Sequence, residues 1–401
     1  RNSILSLNSM QTINSLTFES ESFVFDDRAT SSTSSGGGRG NFTAIWMDPC
    51  AELTINSGLV SVSNTGVQNV AGDALATNWN LDLRSAINGG FVNMNGQDAH
   101  FNVAGIWAFY NTADAANAYR TTDGDNVQLY LNSTIRNANN FIKTGASSMF
   151  VQAAQEYTGN TYINHGILYA RHDEALGLGT DVFVTGAGGL VVGHGVNISG
   201  KNLTIGAISG NNLGLALQDG ASWGGNIIVD NVDIAGGTSY IRAYTPRIYA
   251  DSTRHQAITG NIYGGSSPIG APGVTDSRMF ATYTGGAGIL DIRGNIMDTA
   301  AGAVTGPLDI SNINQVLRME VVANNNESTV QLWNPHDAAG RIRLLQANLV
   351  FMGSGDFYTA NAAAAIESAI GNPAVGFQMG GRSTQSSDGS ANDDLSFFLA
   401  N

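Results

Sequence analysis

The chain has 401 residues, of which only 12% are charged and 50 are glycine, and its formal net charge is −14. An acidic surface of this kind repels nucleic acid and anionic lipid, so we set nucleic-acid partners aside. No stretch approaches the ~20 consecutive apolar residues of a membrane-spanning helix, which argues against a transmembrane protein. The single cysteine, Cys50, permits no intrachain disulfide, and we expect it to be a small buried residue.

Apolar and polar residues alternate with a period of two along the whole chain, which predicts β-strands. Gly, Asn, Asp and Ser cluster between the alternating runs and predict tight turns. The chain is therefore expected to be all-β. In chain order, the clearest runs are Leu16–Phe18, Phe23–Phe25, Val127–Leu131, Leu213–Leu217, Leu317–Val321, Val330–Leu332 and Ile342–Leu344.

Three segments depart from this pattern. Residues 31–40 are rich in Ser and Gly and predict a flexible loop. Residues 359–371 contain an alanine run with Thr359 or Asn361 as a cap and Gly371 as a stop, which predicts a short helix. Residues 112–119 give a second, weaker helical pattern. We interpret all three as excursions from one elongated β domain that spans residues 1–401.

Short phrases recur at even spacing. Gly225-Asn226-Ile227 returns as Gly260-Asn261-Ile262 and as Gly294-Asn295-Ile296, at offsets of 35 and 34 residues. A strand-turn unit of this size cannot bury its apolar face alone, whereas stacking one unit on the next buries it and pairs the backbone. The spacing thus favours a parallel β-solenoid, in which stacked Asn side chains can form ladders. An antiparallel sandwich stays open, because Asn88-Gly89-Gly90 and Asn95-Gly96 are typical of hairpin turns.

Residues 141–206 resemble the autotransporter-associated β-strand repeat. The matching residues are Lys143-Thr144-Gly145, then Met149-Phe150-Val151, then Tyr157-Thr158-Gly159-Asn160-Thr161-Tyr162-Ile163-Asn164-His165-Gly166-Ile167-Leu168, then Ala175-Leu176-Gly177, and finally Asn202-Leu203-Thr204-Ile205-Gly206. The resemblance implies a right-handed parallel β-helix in an exported bacterial surface protein, usually a passenger or a stalk. It therefore implies a secreted, extracellular or cell-surface location.

No pattern of residues indicates catalysis or a cofactor. Asp123 and Asp125 form the best candidate pair for Ca²⁺, because in a turn both carboxylates can reach one cation. The segment lacks the further spaced ligands of a calcium loop, so we interpret it as a plain turn. The six histidines lack the helical spacing of a zinc protease site.

The two chain ends are apolar, although polar tails are usual at termini. These segments contain the candidate assembly residues Ile4, Leu5, Leu7, Leu395, Phe397, Phe398 and Leu399. Each segment either covers the end of its own solenoid or docks as an added strand on a neighbouring copy. The first functional hypothesis is therefore a non-catalytic structural subunit that self-associates head to tail into a filament, stalk or layer. An adhesin with a glycan partner and a polysaccharide lyase or hydrolase are the alternatives.

Overall fold

Every regular element that the computed structural model describes is a β-strand. The described residues are 3–19, 21–22, 43–63, 65–68, 85–104, 106–109, 127–208, 213–230, 239–244, 255–265, 279–284, 288–297, 318–323, 329–333, 336–337, 342–345, 348–352, 378–379 and 396–400. The predicted all-β class is thereby confirmed. The loop at 31–40 and the helices at 112–119 and 359–371 lie outside these ranges.

The chain divides into two compact units, Arg1–Gly179 and Thr180–Asn401, and each is described by itself. The expectation of one elongated domain stays a prediction. The described strands of the first unit are β1 (Ser3–Leu7), β2 (Gln11–Ile13), β3 (Leu16–Phe18), β4 (Glu21–Ser22), β5 (Thr43–Met47), β6 (Glu52–Ile55), β7 (Leu59–Val62), β8 (Thr65–Gln68), β9 (Ser85–Asn93), β10 (Ala99–Val103), β11 (Ile106–Phe109), β12 (Val127–Arg136), β13 (Phe141–Thr144), β14 (Ser148–Val151) and β15 (Thr161–Ala170).

Strand pairing in the first unit is parallel throughout the described residues, and it forms four ladders. One ladder runs β1–β5–β9–β12–β14–β15, and a second runs β2–β6–β9–β12 through the later halves of β9 and β12. A third runs β3–β7–β10–β13–β15, and a fourth runs β4–β8–β11. From β1 to β12 the chain visits the four ladders in the same order and then returns to the first. We call one such pass through the ladders a round.

The second unit repeats this plan with three ladders. Its described strands are β16 (Asp181–Val192), β17 (Asn197–Ile198), β18 (Asn202–Ile208), β19 (Leu213–Gln218), β20 (Ser222–Trp223), β21 (Ile227–Val229), β22 (Ser239–Tyr244), β23 (His255–Ile258), β24 (Ile262–Gly264), β25 (Met279–Thr284), β26 (Ile289–Ile292), β27 (Ile296–Met297), β28 (Arg318–Ala323), β29 (Thr329–Leu332), β30 (His336–Asp337), β31 (Ile342–Leu345), β32 (Asn348–Met352), β33 (Gln378–Met379) and β34 (Ser396–Ala400).

The three ladders of this unit are also parallel. They run β16–β18–β21–β24–β27–β30, β16–β19–β22–β25–β28–β31–β33 and β17–β20–β23–β26–β29–β32–β34. From β16 to β32 the chain passes from the first ladder to the second, then to the third, and back to the first. Chain order therefore coincides with spatial stacking.

The Asn-Gly turns were the reason for considering an antiparallel sandwich. In the described residues they do not join antiparallel strands. Gly89 and Gly90 lie inside β9, at φ of 68° and 51°, where the strand passes from one ladder to the next. Asn95 adopts a φ of 51° between β9 and β10, which belong to different ladders. Because Asn and Gly tolerate positive φ, these positions make corners between parallel ladders.

The core of each unit is built from matching inward positions on successive strands. In the second unit, Trp223, Ile258, Ile292 and Leu332 pair in register on β20, β23, β26 and β29, and none is more than 3% exposed. Burying a large apolar side chain of this kind contributes about 1.5–3 kcal/mol. The period-two alternation of the sequence is the direct cause, since it sends every second side chain into this row.

The recurring Gly-Asn-Ile phrases occupy equivalent positions in the stack. Ile227 pairs with Ile262, and Ile262 pairs with Ile296. The Asn226 side-chain oxygen accepts a hydrogen bond from the backbone N–H of Asn261 at 3.2 Å, and the Asn261 oxygen accepts one from the N–H of Asn295 at 2.9 Å. The sequence phrase thus encodes a hydrogen-bonded rung that links each round of strands to the next.

A side chain on the middle glycine of this set should destabilise the second unit strongly. A Cβ at Gly260 would collide with the carbonyl oxygen of Gly225 in the round below. We expect Gly260→Ala to lower the free energy of unfolding by about 2–4 kcal/mol, measured by urea denaturation. The control is Gly200→Ala, where φ is +67° but no atom lies within 4 Å. That change should cost only about 1 kcal/mol, and equal costs at the two sites would contradict the stacking argument.

Candidate functional site

The first four described strands have a described partner strand on one side only. Within the described residues, β1, β2, β3 and β4 each pair with one strand only, namely β5, β6, β7 and β8. The other side of each strand therefore presents backbone N–H and C=O groups that no described strand pairs. Such an edge is a template for a further strand in the same direction.

The side chains at this edge are unusually apolar for exposed positions. Ile4 is 59% exposed, Leu5 is 55% exposed and Met10 is 74% exposed, whereas Leu7 is half-buried. Adjacent residues Ile4 and Leu5 point to opposite faces of β1, so each face of the strand carries an exposed apolar side chain. We define Ile4, Leu5 and Met10 with the outer side of β1 as the N-terminal edge. Three of the predicted assembly residues, Ile4, Leu5 and Leu7, therefore lie on one strand.

Three of the predicted assembly residues near the other end, Phe397, Phe398 and Leu399, lie on β34. This strand pairs with β32, with Phe397 opposite Leu349 and Leu399 opposite Phe351. It therefore joins the stack of its own chain, and β32 is its one neighbour among the described strands. Leu395 lies outside the described residues. The role of all seven residues in assembly stays a prediction.

Asparagine side chains form hydrogen-bonded rungs between successive strands of the first unit. The side-chain amide of Asn132 donates to the Asn88 oxygen at 2.6 Å, and Asn137 donates to Asn93 at 3.1 Å. Each of these pairs spans 44 residues of sequence. An uncharged side chain that both donates and accepts can bond to its copy above and below, which suits a repeated position on the outer face.

One ion pair reinforces these rungs. Arg136 on β12 binds Glu52 on β6, which is also bonded by the Asn93 amide at 2.8 Å. The Arg136 guanidinium lies 4.2 Å from the centre of the Phe91 ring. Three successive strands of one ladder are thus tied together by side chains as well as by backbone.

The chain contains two lysines, Lys143 and Lys201, and both are buried. Lys143 is 0% exposed and lies in an inward row, paired with Phe101 on β10 and with Ile163 on β15. Its Nζ donates to the carbonyl oxygens of Thr144, Gly145 and His165 at 2.8, 2.8 and 2.9 Å. Lys143 therefore closes two turns from inside the core. Lys143 belongs to the repeat-like motif at residues 141–206, but the sequence did not predict that it is buried.

Burial lowers the pKa of Lys143 to about 7, because desolvation disfavours the ammonium form. Burial likewise lowers the pKa of Lys201, and the nearby Asp181 opposes this effect. The three hydrogen bonds of its Nζ all go to backbone carbonyl oxygens, so Lys143 holds the backbone of two turns in place.

The remaining sequence candidates that the structure describes do not converge on a site. Asp123 and Asp125 lie outside the described residues. Among the described residues, no group of three or more His, Cys, Asp or Glu side chains is arranged to hold a metal ion. Cys50 is exposed in the turn after β5, so the expectation that it is buried was wrong. Its place in a turn, outside the alternating strand pattern, is the reason.

In the part of the chain that the structure describes, no helix is long and apolar enough to cross a membrane. No family model, no curated protein and no solved structure matches the chain. The resemblance of residues 141–206 to the autotransporter-associated repeat therefore stays a prediction.

The buried lysine predicts a pH dependence of stability. Unfolded lysine has a pKa of about 10.4, so between about pH 7 and pH 10 the unfolded chain binds more protons than the folded one. The free energy of unfolding should therefore rise across this window as the burial penalty of the ammonium form is removed. Relative to Lys143→Met, the natural chain should gain on the order of a few kcal/mol from pH 7 to pH 10, measured by urea denaturation. A difference between the two chains that stays constant with pH would contradict this prediction.

Proposed function

We propose that this chain is a non-catalytic structural protein, a right-handed parallel β-helix of an extracellular or cell-surface assembly. The observation that carries the proposal is the cyclic order in which the chain visits parallel ladders in each unit. A chain that returns to the same ladder after each round, always in parallel, winds as a coil. Connections between parallel strands of one sheet are almost always right-handed, which supports a right-handed coil.

A structural role fits the way in which the outer surface is built. The described outer positions carry asparagine rungs such as Asn93–Asn137, and they form few ion pairs. Neutral hydrogen-bonded rungs reinforce the stack without depending on salt or on a narrow range of pH. An extracellular location follows from the resemblance of residues 141–206 to repeats of exported surface proteins.

Self-association of the 401-residue chain is the second part of the proposal. The N-terminal edge offers unpaired backbone groups and exposed Ile4 and Leu5. At the opposite end of the chain, β34 carries Phe397, Phe398 and Leu399 and has one described neighbour. A parallel stack extends by adding a strand in the same direction, so β34 of one copy fits the outer side of β1 of the next. The occupant that we propose for the N-terminal edge is therefore a second copy of this chain.

A charge at the N-terminal edge should weaken self-association. Burying a leucine side chain contributes about 1.5–3 kcal/mol, which corresponds to about tenfold or more in a dissociation constant. We expect Leu5→Lys to raise the concentration needed for association by at least about tenfold, measured by sedimentation velocity over a dilution series. The matched control is Leu178→Lys, since Leu178 is 64% exposed but lies in the turn region after β15. If the control weakens association as much as Leu5→Lys, or if the natural chain stays monomeric, the edge is not the contact.

Removing the last strand should abolish assembly. Deletion of residues 393–401 removes all of β34 and the four predicted assembly residues Leu395, Phe397, Phe398 and Leu399. The truncated chain should keep its β-sheet circular dichroism, because β34 is paired only on one side by a described strand. Negative-stain microscopy should then show no filaments. Filaments formed by the truncated chain would reject the docking of β34.

A further inference from the structure

An outward patch on the second unit brings together four side chains that the structural role does not use. His255 begins β23, Asp291 lies on β26, Arg293 follows β26 and Trp333 follows β29. These three strands are neighbours in one ladder. The inward positions between these residues carry Ile258, Ile292 and Leu332, so the four side chains occupy the opposite, outer face of the ladder. We call them the outer patch.

A buried carboxylate organises the outer patch. Asp291 is 1% exposed although it lies on the outer face, and its Oδ2 accepts hydrogen bonds from His255 Nδ1 and Arg293 Nη2, each at 3.2 Å. Its Oδ1 is buried without a hydrogen-bond partner among the described residues. A carboxylate is costly to bury. The two hydrogen bonds fix the orientation of the His255 ring and the Arg293 guanidinium above it.

The residues above Asp291 are accessible. The side chains of His255 and Arg293 are 43% and 52% exposed, and Trp333 is 41% exposed. The Arg293 guanidinium carbon lies 5.5 Å from the centre of the Trp333 ring, a distance that allows a cation–π interaction. The outer patch therefore combines an aromatic platform with nitrogen groups whose direction is set from below.

The charges of the outer patch select the class of ligand. The charge of Asp291 offsets that of Arg293, and the whole chain carries −14, so a polyanion is repelled. A ring face with adjacent hydrogen-bonding groups suits a ligand that has both an apolar face and hydroxyl groups. We infer that the outer patch binds a neutral saccharide, with a sugar ring against Trp333 and its hydroxyl groups bonded to Arg293 and His255. Asp291 acts as the positioning residue.

The test uses the full 401-residue chain and isothermal titration with four probes. Three are neutral, namely cellohexaose, maltohexaose and mannohexaose, and the fourth is an acidic oligogalacturonate. At least one neutral probe should bind, and Trp333→Ala should weaken that binding by tenfold or more. The matched control is Trp46→Ala, because Trp46 is 51% exposed and lies on β5 of the first unit. Its binding should equal that of the natural chain.

Three results would overturn the inference. They are binding of the acidic probe alone, equal losses in Trp333→Ala and Trp46→Ala, and no binding of any probe. Asp291→Asn tests the positioning role, because it keeps the shape of the side chain but removes its charge. It should weaken saccharide binding several-fold and displace the ring signals of His255 in an NMR spectrum, while the unfolding temperature changes little. Unchanged binding and unchanged His255 signals would reject that role. None of these outcomes depends on self-association.

Discussion

The structure depends on one constraint, namely that each described strand pairs its backbone in parallel with a strand of a neighbouring round. A parallel ladder satisfies N–H and C=O groups only if successive strands arrive in the same direction and in register. The stack of Ile227, Ile262 and Ile296 shows the consequence, because identical residues recur where identical backbone positions pair. Side-chain rungs such as Asn226 to Asn261 then reinforce a register that the backbone has already set.

This constraint acts on strands and leaves the connections between them free to vary. The rung from Asn140 to Asn160 spans 20 residues, whereas the rung from Asn88 to Asn132 spans 44. Loop-closure entropy grows only slowly with loop length, so a longer connection costs little stability. A round can therefore accommodate a long insertion without disturbing the ladders, provided that its strands return to their positions. The uneven length of the rounds is also the reason that few sequence phrases recur at a fixed spacing.

The sequence was sufficient to predict features that depend on local alternation and on repeated phrases. The all-β class follows from runs such as Val330–Leu332, and the stacking of Gly225, Gly260 and Gly294 follows from their spacing. Lys143 and Asp291 could not be placed in this way. The row that buries Lys143 includes Phe101, 42 residues earlier, and His255 lies 36 residues before Asp291. Their environments depend on which strands become neighbours. A single sequence does not reveal this pairing, because the rounds differ in length.

In the roles that we propose, backbone groups serve assembly and outward-pointing side chains serve ligand binding. One stack of strands can therefore have both roles. The assembly that we propose at the N-terminal edge would use main-chain groups and the apolar side chains of one strand, whereas the binding that we infer for the outer patch would use side chains that point away from the core. Ile258, Ile292 and Leu332 hold the strands from the inside, so the alternate outer positions contribute little to the core. His255, Arg293 and Trp333 can therefore serve the saccharide binding that we infer. Asp291 is the exception, since it is buried on the outer face and its Oδ1 has no hydrogen-bond partner among the described residues. Burying such an oxygen lowers stability, and a loss of stability of this kind is expected at sites that serve recognition.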